Sequence, residues 1–255
     1  MSKSPTTTLL FRRDGLEYHV LTKLYRDEVL MVLSRAFCTE PVVDARGQAD
    51  FKHRATVKDW IEFVDFWMDH CSTNGLSVVC IDPIDHRVAG SFIVRDLLMI
   101  PPGFDDMYSS DDAVLTPWMQ FLWHMDAKAS EVEAGLTETG AAVDLWFLGV
   151  HPDYRGRRIA THMTSAVLPL IRDAGYKFGT IEATSHFTSC AAKSNDFTAL
   201  YEMDAKDFEW KGERPYVNLH LLSLSRERKL WESNSCTADV SSSVIKKMKN
   251  DVEMK

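Results

Sequence analysis

The chain has 255 residues, 45% of them hydrophobic and 26% charged, with a formal net charge of −8. That length buries a full core as one large domain or two small ones, and the acidic balance argues against nucleic acid as a partner while suiting a cationic substrate. No apolar run is long enough to cross a bilayer, Thr6 to Leu10 is too short and polar for a secretion signal, and the scattered cysteines (Cys38, Cys71, Cys80, Cys190, Cys236) suggest reduced thiols in a cytoplasmic protein, not a disulfide framework or metal site.

In chain order, Leu16 to Leu24 alternates well enough to predict a first strand. Asp27 then caps a helix whose stripe is Val29, Leu33, Ala36 and Phe37, stopping near Thr39 because Pro41 biases Glu40 away from helical torsions. Thr56 and Asp59 are spaced as a capping box for a second helix that ends before Asn74-Gly75. Two apolar runs, 76–81 and 88–94, flank Asp82-Pro83-Ile84-Asp85 as a hairpin. A loop over 101–115 precedes a helix opened by Thr116-Pro117. It is expected to pack on the sheet, with a lid over the acceptor as the other possibility.

The stretch from Ala141 to Ile171 carries the chemistry. Ala141 to Val150 is an apolar run interrupted by one charge, Asp144, as suits a strand covered on both faces. A short loop with Arg155, Arg157 and Arg158 follows. Ile159, Met163, Ala166, Val167, Leu170 and Ile171 then recur at helical spacing, with Pro169 late in the helix and Gly175 as its stop. A strand, a tight turn and a helix start present unpaired N–H groups and the positive end of a dipole to an anion. A phosphate-bearing ligand is therefore expected.

Residues 178–183 predict another strand and His186 to about Asn195 a helix. Residues 207–210 and 216–224 predict closing strands, and from Ser233 the Ser- and Lys-rich composition predicts a disordered tail after a single domain over 1–232. The order is that of an α/β fold, a mixed central sheet with helices on both faces.

Tyr154-Arg155-Gly156-Arg157-Arg158-Ile159-Ala160 resembles the pyrophosphate loop of the GNAT superfamily of N-acetyltransferases, with Arg158 standing where that superfamily usually has glycine. Two further stretches, Ala36 to Val42 and Ala183 to Thr188, are similar to segments of the invertebrate arylalkylamine (dopamine) N-acetyltransferases. The resemblance implies a GNAT-type sheet whose two splayed strands hold acetyl-CoA, with no metal. The cofactor would lie on Leu148, Gly149, Val150, Arg155, Gly156, Arg157, Arg158, Ile159 and Ala160. Glu40 would be the general base, with Thr184 and Thr188, threonines where the group has serines, assisting.

The expected activity is direct acetyl transfer to a small primary amine, with an arylalkylamine as the candidate acceptor. The alternatives are another amine acceptor (a polyamine, an amino acid or a protein) or acyl-CoA binding without catalysis. His151 is the rival base, since histidine titrates near neutrality without a shift. Thr184 and Thr188 have a second possible role as caps of the helix at His186, Tyr201 is a further donor for the leaving thiolate, and Cys190 is expected to be a small buried residue.

Overall fold

The computed structural model describes residues 7–38, 55–72, 74–104, 115–209 and 220–227. The strands are β1 (Leu9–Arg13), β2 (Leu16–Val20), β3 (Val78–Asp82), β4 (Arg87–Asp96), β5 (Ala142–Val150), β6 (Phe178–Ala183), β7 (Thr198–Asp204) and β8 (His220–Glu227). The helices are α1 (Arg26–Cys38), α2 (Val57–Cys71), α3 (Thr116–Val132), α4 (Ile159–Asp173) and α5 (His186–Lys193). The strands form one sheet in the order β1-β2-β3-β4-β5-β6-β8-β7, with β5 and β6 parallel and the other neighbours antiparallel.

The sheet is covered on both faces. On one side α1, α2 and α3 bury Leu33, Phe37, Trp60, Phe63 and Trp67 against Phe147. On the other, α4 lays Ile159, Met163, Val167 and Ile171 over Tyr18, Phe92, Val94, Leu145 and Ile181. The capping box forms as its spacing predicts. Thr56 Oγ1 accepts from the Asp59 N–H, and the Asp59 carboxylate accepts from the Thr56 N–H at 2.6 Å.

Two irregularities shape the middle of the sheet. Opposite β4, Ile93 pairs with Phe147 but Val94 pairs with Leu145, so Trp146 is an extra residue in β5. This bulge turns Trp146 and Phe147 to the same helical layer. The second irregularity is the end of the β5–β6 ladder after Ala142↔Phe178, Val143↔Gly179 and Asp144↔Thr180. Beyond that point the strands part, and among the described residues the β6-facing edge of 145–150 has no partner strand.

Several predicted boundaries change: α1 begins at Arg26, so Asp27 lies in its first turn and is not its cap, and the strand from Leu16 ends at Val20. The first strand is a hairpin, β1–β2, turned by Asp14 and Gly15, both at positive φ (51° and 75°). An Asp-Gly pair is the usual sequence mark of such a turn. Towards the end of the chain, β7 is Thr198–Asp204 and residues 205–207 form a 3₁₀ turn, so the strand expected over 207–210 is displaced backwards. Thr198 to Asp204 has polar residues on much of its surface because it is an edge strand, which weakens the apolar pattern that would announce it. The stretch 105–114 within the predicted 101–115 loop, the residues 39–54 that include Glu40, and the tail from 228 lie outside the described residues.

Candidate active site

The anion-binding end of the site is built by the chain leaving β5. After Val150, His151 caps a 3₁₀ turn over Pro152–Tyr154, and Tyr154 is anchored by donating its hydroxyl to Asp82 at 3.2 Å. Gly156 and Arg158 then take left-handed torsions, φ 79° and 57°, and α4 begins. The first helical bond is His162 N–H to the Arg158 carbonyl. Among the described residues, the N–H groups of 156–161 make no backbone hydrogen bond, so a row of donors is available at the positive end of the α4 dipole.

The left-handed torsion explains why glycine suits position 158: a Cβ there costs roughly 1–2 kcal/mol. Arg155, Arg157 and Arg158 are all exposed. Arg157 is already engaged, donating to the Asp14 carbonyl at 2.6 Å and lying 5.7 Å from the centre of the Tyr154 ring. Ile159 is buried in the core under α4, so its N–H faces the loop while its side chain fastens the helix to the sheet; Ala160 is half-buried.

Along β5 the residues named from the sequence divide by role. Leu148 lines the gap between the strands. Gly149 faces α1, where a Cβ would come within 2.8 Å of Leu33 Cδ2 and 3.1 Å of Ala36 Cβ. Its missing side chain lets α1 pack on the strand, a structural demand in addition to any contact its backbone makes. Val150 is half-buried and pairs with Gly90.

The gap itself is a cleft of about 480 Å³ including its open mouth. Phe37, Trp118, Leu122, Trp146 and Phe147 form its aromatic and apolar side, and Glu182, Thr184 and Thr188 its polar side. Thr184 and Thr188 are thus brought together. The cap of α5 is neither of them but Ser185, whose Oγ accepts from the Thr188 N–H at 3.1 Å and lies 2.9 Å from Thr188 Oγ1.

His151 is held away from the cleft lining. Its Nδ1 accepts from the Asp153 N–H at 3.3 Å and its Nε2 lies 3.3 Å from an Arg87 nitrogen. Tyr201 packs against His124 and the helical layer and is not among the lining residues. Cys190, expected to be buried, is exposed, with its Sγ 3.4 Å from His186 Nε2. It lies one turn after His186 on the exposed face of this short helix, with Phe187 beside it.

Four charged residues missed by motif matching sit at the root of the gap. Arg95 and Asp144 are 4% and 0% exposed and form an ion pair at 2.8–2.9 Å. Arg95 also donates to the Met99 carbonyl and lies 4.2 Å from the Trp146 ring centre and 4.7 Å from that of Trp67. It therefore clamps the bulge residue in place. Asp126 of α3 and Glu182 of β6 keep some accessible surface although protein surrounds them.

Loss of solvation and the neighbouring Asp144 push Asp126 up to about 6, with Arg95 pulling the other way. Burial, followed by Asp126 and Asp144, pushes Glu182 well above the usual carboxylate range. The sequence signal for this cluster was modest but present: Asp144 and Glu182 are charges inside otherwise apolar strands.

No family model and no curated protein sequence matches the chain. Solved structures do. The C-terminal condensation domain of Ebony, in complex with beta-alanyl-dopamine, is 16% identical, with 83% of this chain and 98% of that one covered and a TM-score of 0.71. Arylalkylamine N-acetyltransferase 2 from Aedes aegypti is 16% identical over 84% and 99%, with a TM-score of 0.65. A polyamine N-acetyltransferase from Drosophila melanogaster is 13% identical over 83% and 99%, with a TM-score of 0.66. The fold is that of the GNAT N-acetyltransferases.

The parting of β5 from β6 after Asp144↔Thr180 matches the splay expected of this fold. Among the described residues no helix is long and apolar enough to cross a membrane, and no His, Cys, Asp and Glu group is arranged to hold a metal.

Proposed function

We propose that this chain is an N-acetyltransferase that moves the acetyl group of acetyl-CoA to a small primary amine, with an arylalkylamine as the favoured acceptor. The observation that carries this reading is the continuity of two features: unpaired N–H groups at the start of α4 and the gap between β5 and β6, which share β5 as their wall. A ligand with a phosphate at one end and a reactive group at the other fits that layout, and the loop residues suit it, with backbone donors at 156–161 and the exposed Arg155 and Arg158. Acetyl-CoA, when bound, supplies the activated acetyl group. Phe37, Trp118 and Leu122 supply the apolar wall that an aromatic amine would lie against.

The residues of the chain have three tasks. A base takes a proton from the ammonium so that nitrogen has a lone pair, a contribution of roughly 10²–10⁴-fold; the resemblance gives this to Glu40. An N–H on the gap-facing edge of β5 stabilises the charge that develops on the carbonyl oxygen. Thr188, and Thr184 beside it, orient the amine and give the departing thiolate its proton.

The test is release of free thiol from acetyl-CoA with a panel of aromatic amines, diamines, amino acids and peptides, alongside calorimetric titration of acetyl-CoA. Turnover that is fastest with aromatic amines is the expected result. Titratable binding without turnover of any amine would leave a binding protein, and absence of binding would end the reading altogether.

A further inference from the structure

Glu182 lies two residues past the last β5–β6 pair, Asp144↔Thr180, on the strand that leaves the ladder, and Trp146 occupies the matching position on the other strand. Both line the cleft. Alternation along β6 sends Ile181 and Ala183 into the α4 layer, so Glu182 points to the opposite face, where α3 brings Asp126 into hydrogen-bonding contact with it. Ser223 Oγ of β8 donates to Glu182 at 3.5 Å.

The groups facing this pair are Arg95 of β4 and Asp144 of β5. Arg95 is spent on Asp144 Oδ2, and the fully buried Asp144 also faces Glu182, in hydrogen-bonding contact with it. Among the described residues, the indole N–H of Trp146 is buried without a partner. Three carboxyl groups thus share one guanidinium, beside a cleft and an unpartnered indole N–H. Buried carboxyls short of a cation hold protons or await one.

We propose that Glu182 and Asp126 act as a proton-sharing carboxyl pair that binds the ammonium group of the acceptor at the root of the splay and takes its first proton. This rests on the acetyl-transfer reading, and it moves the first proton transfer from Glu40 to the pair. Near neutrality the pair carries one proton and one negative charge. The ammonium N–H bond breaks with its electrons left on nitrogen. The proton passes to Glu182 while the proton between the two carboxyls settles on Asp126, and the pair becomes neutral. Nitrogen then forms its bond to the acetyl carbon as the carbon–sulfur bond breaks. The second proton lost by nitrogen balances the departing thiolate.

The mechanism sets a pH limit: once Asp126 is itself protonated, at about 6, the pair has no site left for the proton of the amine. Activity is expected to fall as pH drops through that region.

The experiment uses the full chain and two acceptors, an alkylamine, which is an ammonium near neutral pH, and an alkoxyamine, which is already neutral there. Glu182→Gln and Asp126→Asn are expected to lower kcat/KM for the alkylamine about 100-fold or more and for the alkoxyamine less than about fivefold, with acetyl-CoA titration unchanged and the acid limb abolished. Equal losses on both acceptors mean a structural role and overturn the proposal, as do losses below about threefold on the alkylamine. If one variant does not fold, the other and Glu182→Asp, expected to recover part of the rate, decide the question. Wild-type protein that neither binds acetyl-CoA nor turns over would instead overturn the acetyl-transfer reading itself.

Discussion

The two ends of the site are made of different material. The end proposed for the phosphates is backbone: a row of N–H groups between Gly156 and Thr161, two left-handed residues and arginines in solvent. The end proposed for the acceptor is side chain: Arg95, Asp126, Asp144 and Glu182 packed among tryptophans, with charges whose protonation depends on one another. The first can be altered residue by residue with little effect on folding, because exposed side chains contribute little to stability. In the second, chemistry and stability rest on the same atoms, so one cannot be changed alone.

Substitutions that separate the two ends put this contrast at risk. The largest effect is expected from Arg95→Ala, which leaves Asp144 buried and uncompensated and should cost about 3–5 kcal/mol in denaturant unfolding; a loss under about 1 kcal/mol would show that the cluster holds little of the fold together. Gly149→Val drives a Cβ into Leu33 on α1 and should cost about 1–3 kcal/mol by the same measure. At the phosphate end, Arg155→Glu should leave stability within about 0.5 kcal/mol yet weaken acetyl-CoA binding roughly tenfold, on the order of 1.4 kcal/mol. Calorimetry and thermal melts on one sample read both quantities.

Arg158→Gly should raise stability by about 1 kcal/mol or less, relief of the left-handed torsion being partly offset by the greater freedom of glycine when unfolded. A further effect concerns pH. Asp126 is raised from 3.8 to about 6 in the folded chain, so the folded state binds more protons across that window. Its contribution to stability is complete below about 3.8 and is lost as pH rises through about 6. Melts of Asp126→Asn should lack this fall, and an identical pH dependence in the variant would remove Asp126 as its source.

The same division governed what the sequence revealed. Gly156, Arg158 and the stripe of α4 announce the loop because all its determinants are within one turn and one helix, and local spacing carries local geometry. Thr184 and Thr188 came from the family resemblance; both lie on the cleft, and Ser185, between them, is the cap of α5. The acidic cluster was not found, because its members come from α3, β4, β5 and β6 and become neighbours only when β4 and β5 pair and α3 folds over them. Asp144 and Glu182 each look like a single interruption of a strand. The Asp14-Gly15 hairpin is the opposite case, a local signal that was present and passed over.

The short β5–β6 ladder has a mechanical consequence. Five strands lie to one side of it and three to the other, and along this line the backbone is stitched at Asp144↔Thr180 and the pairs before it. Swinging the β6-β8-β7 arm outward about that seam breaks no further interstrand bond between β5 and β6, because none exists beyond it. Beyond the seam the width of the slot is therefore set by packing and not by backbone bonds: Ile181 and Ala183 are fastened under α4, and α3 lies over β7 and β8.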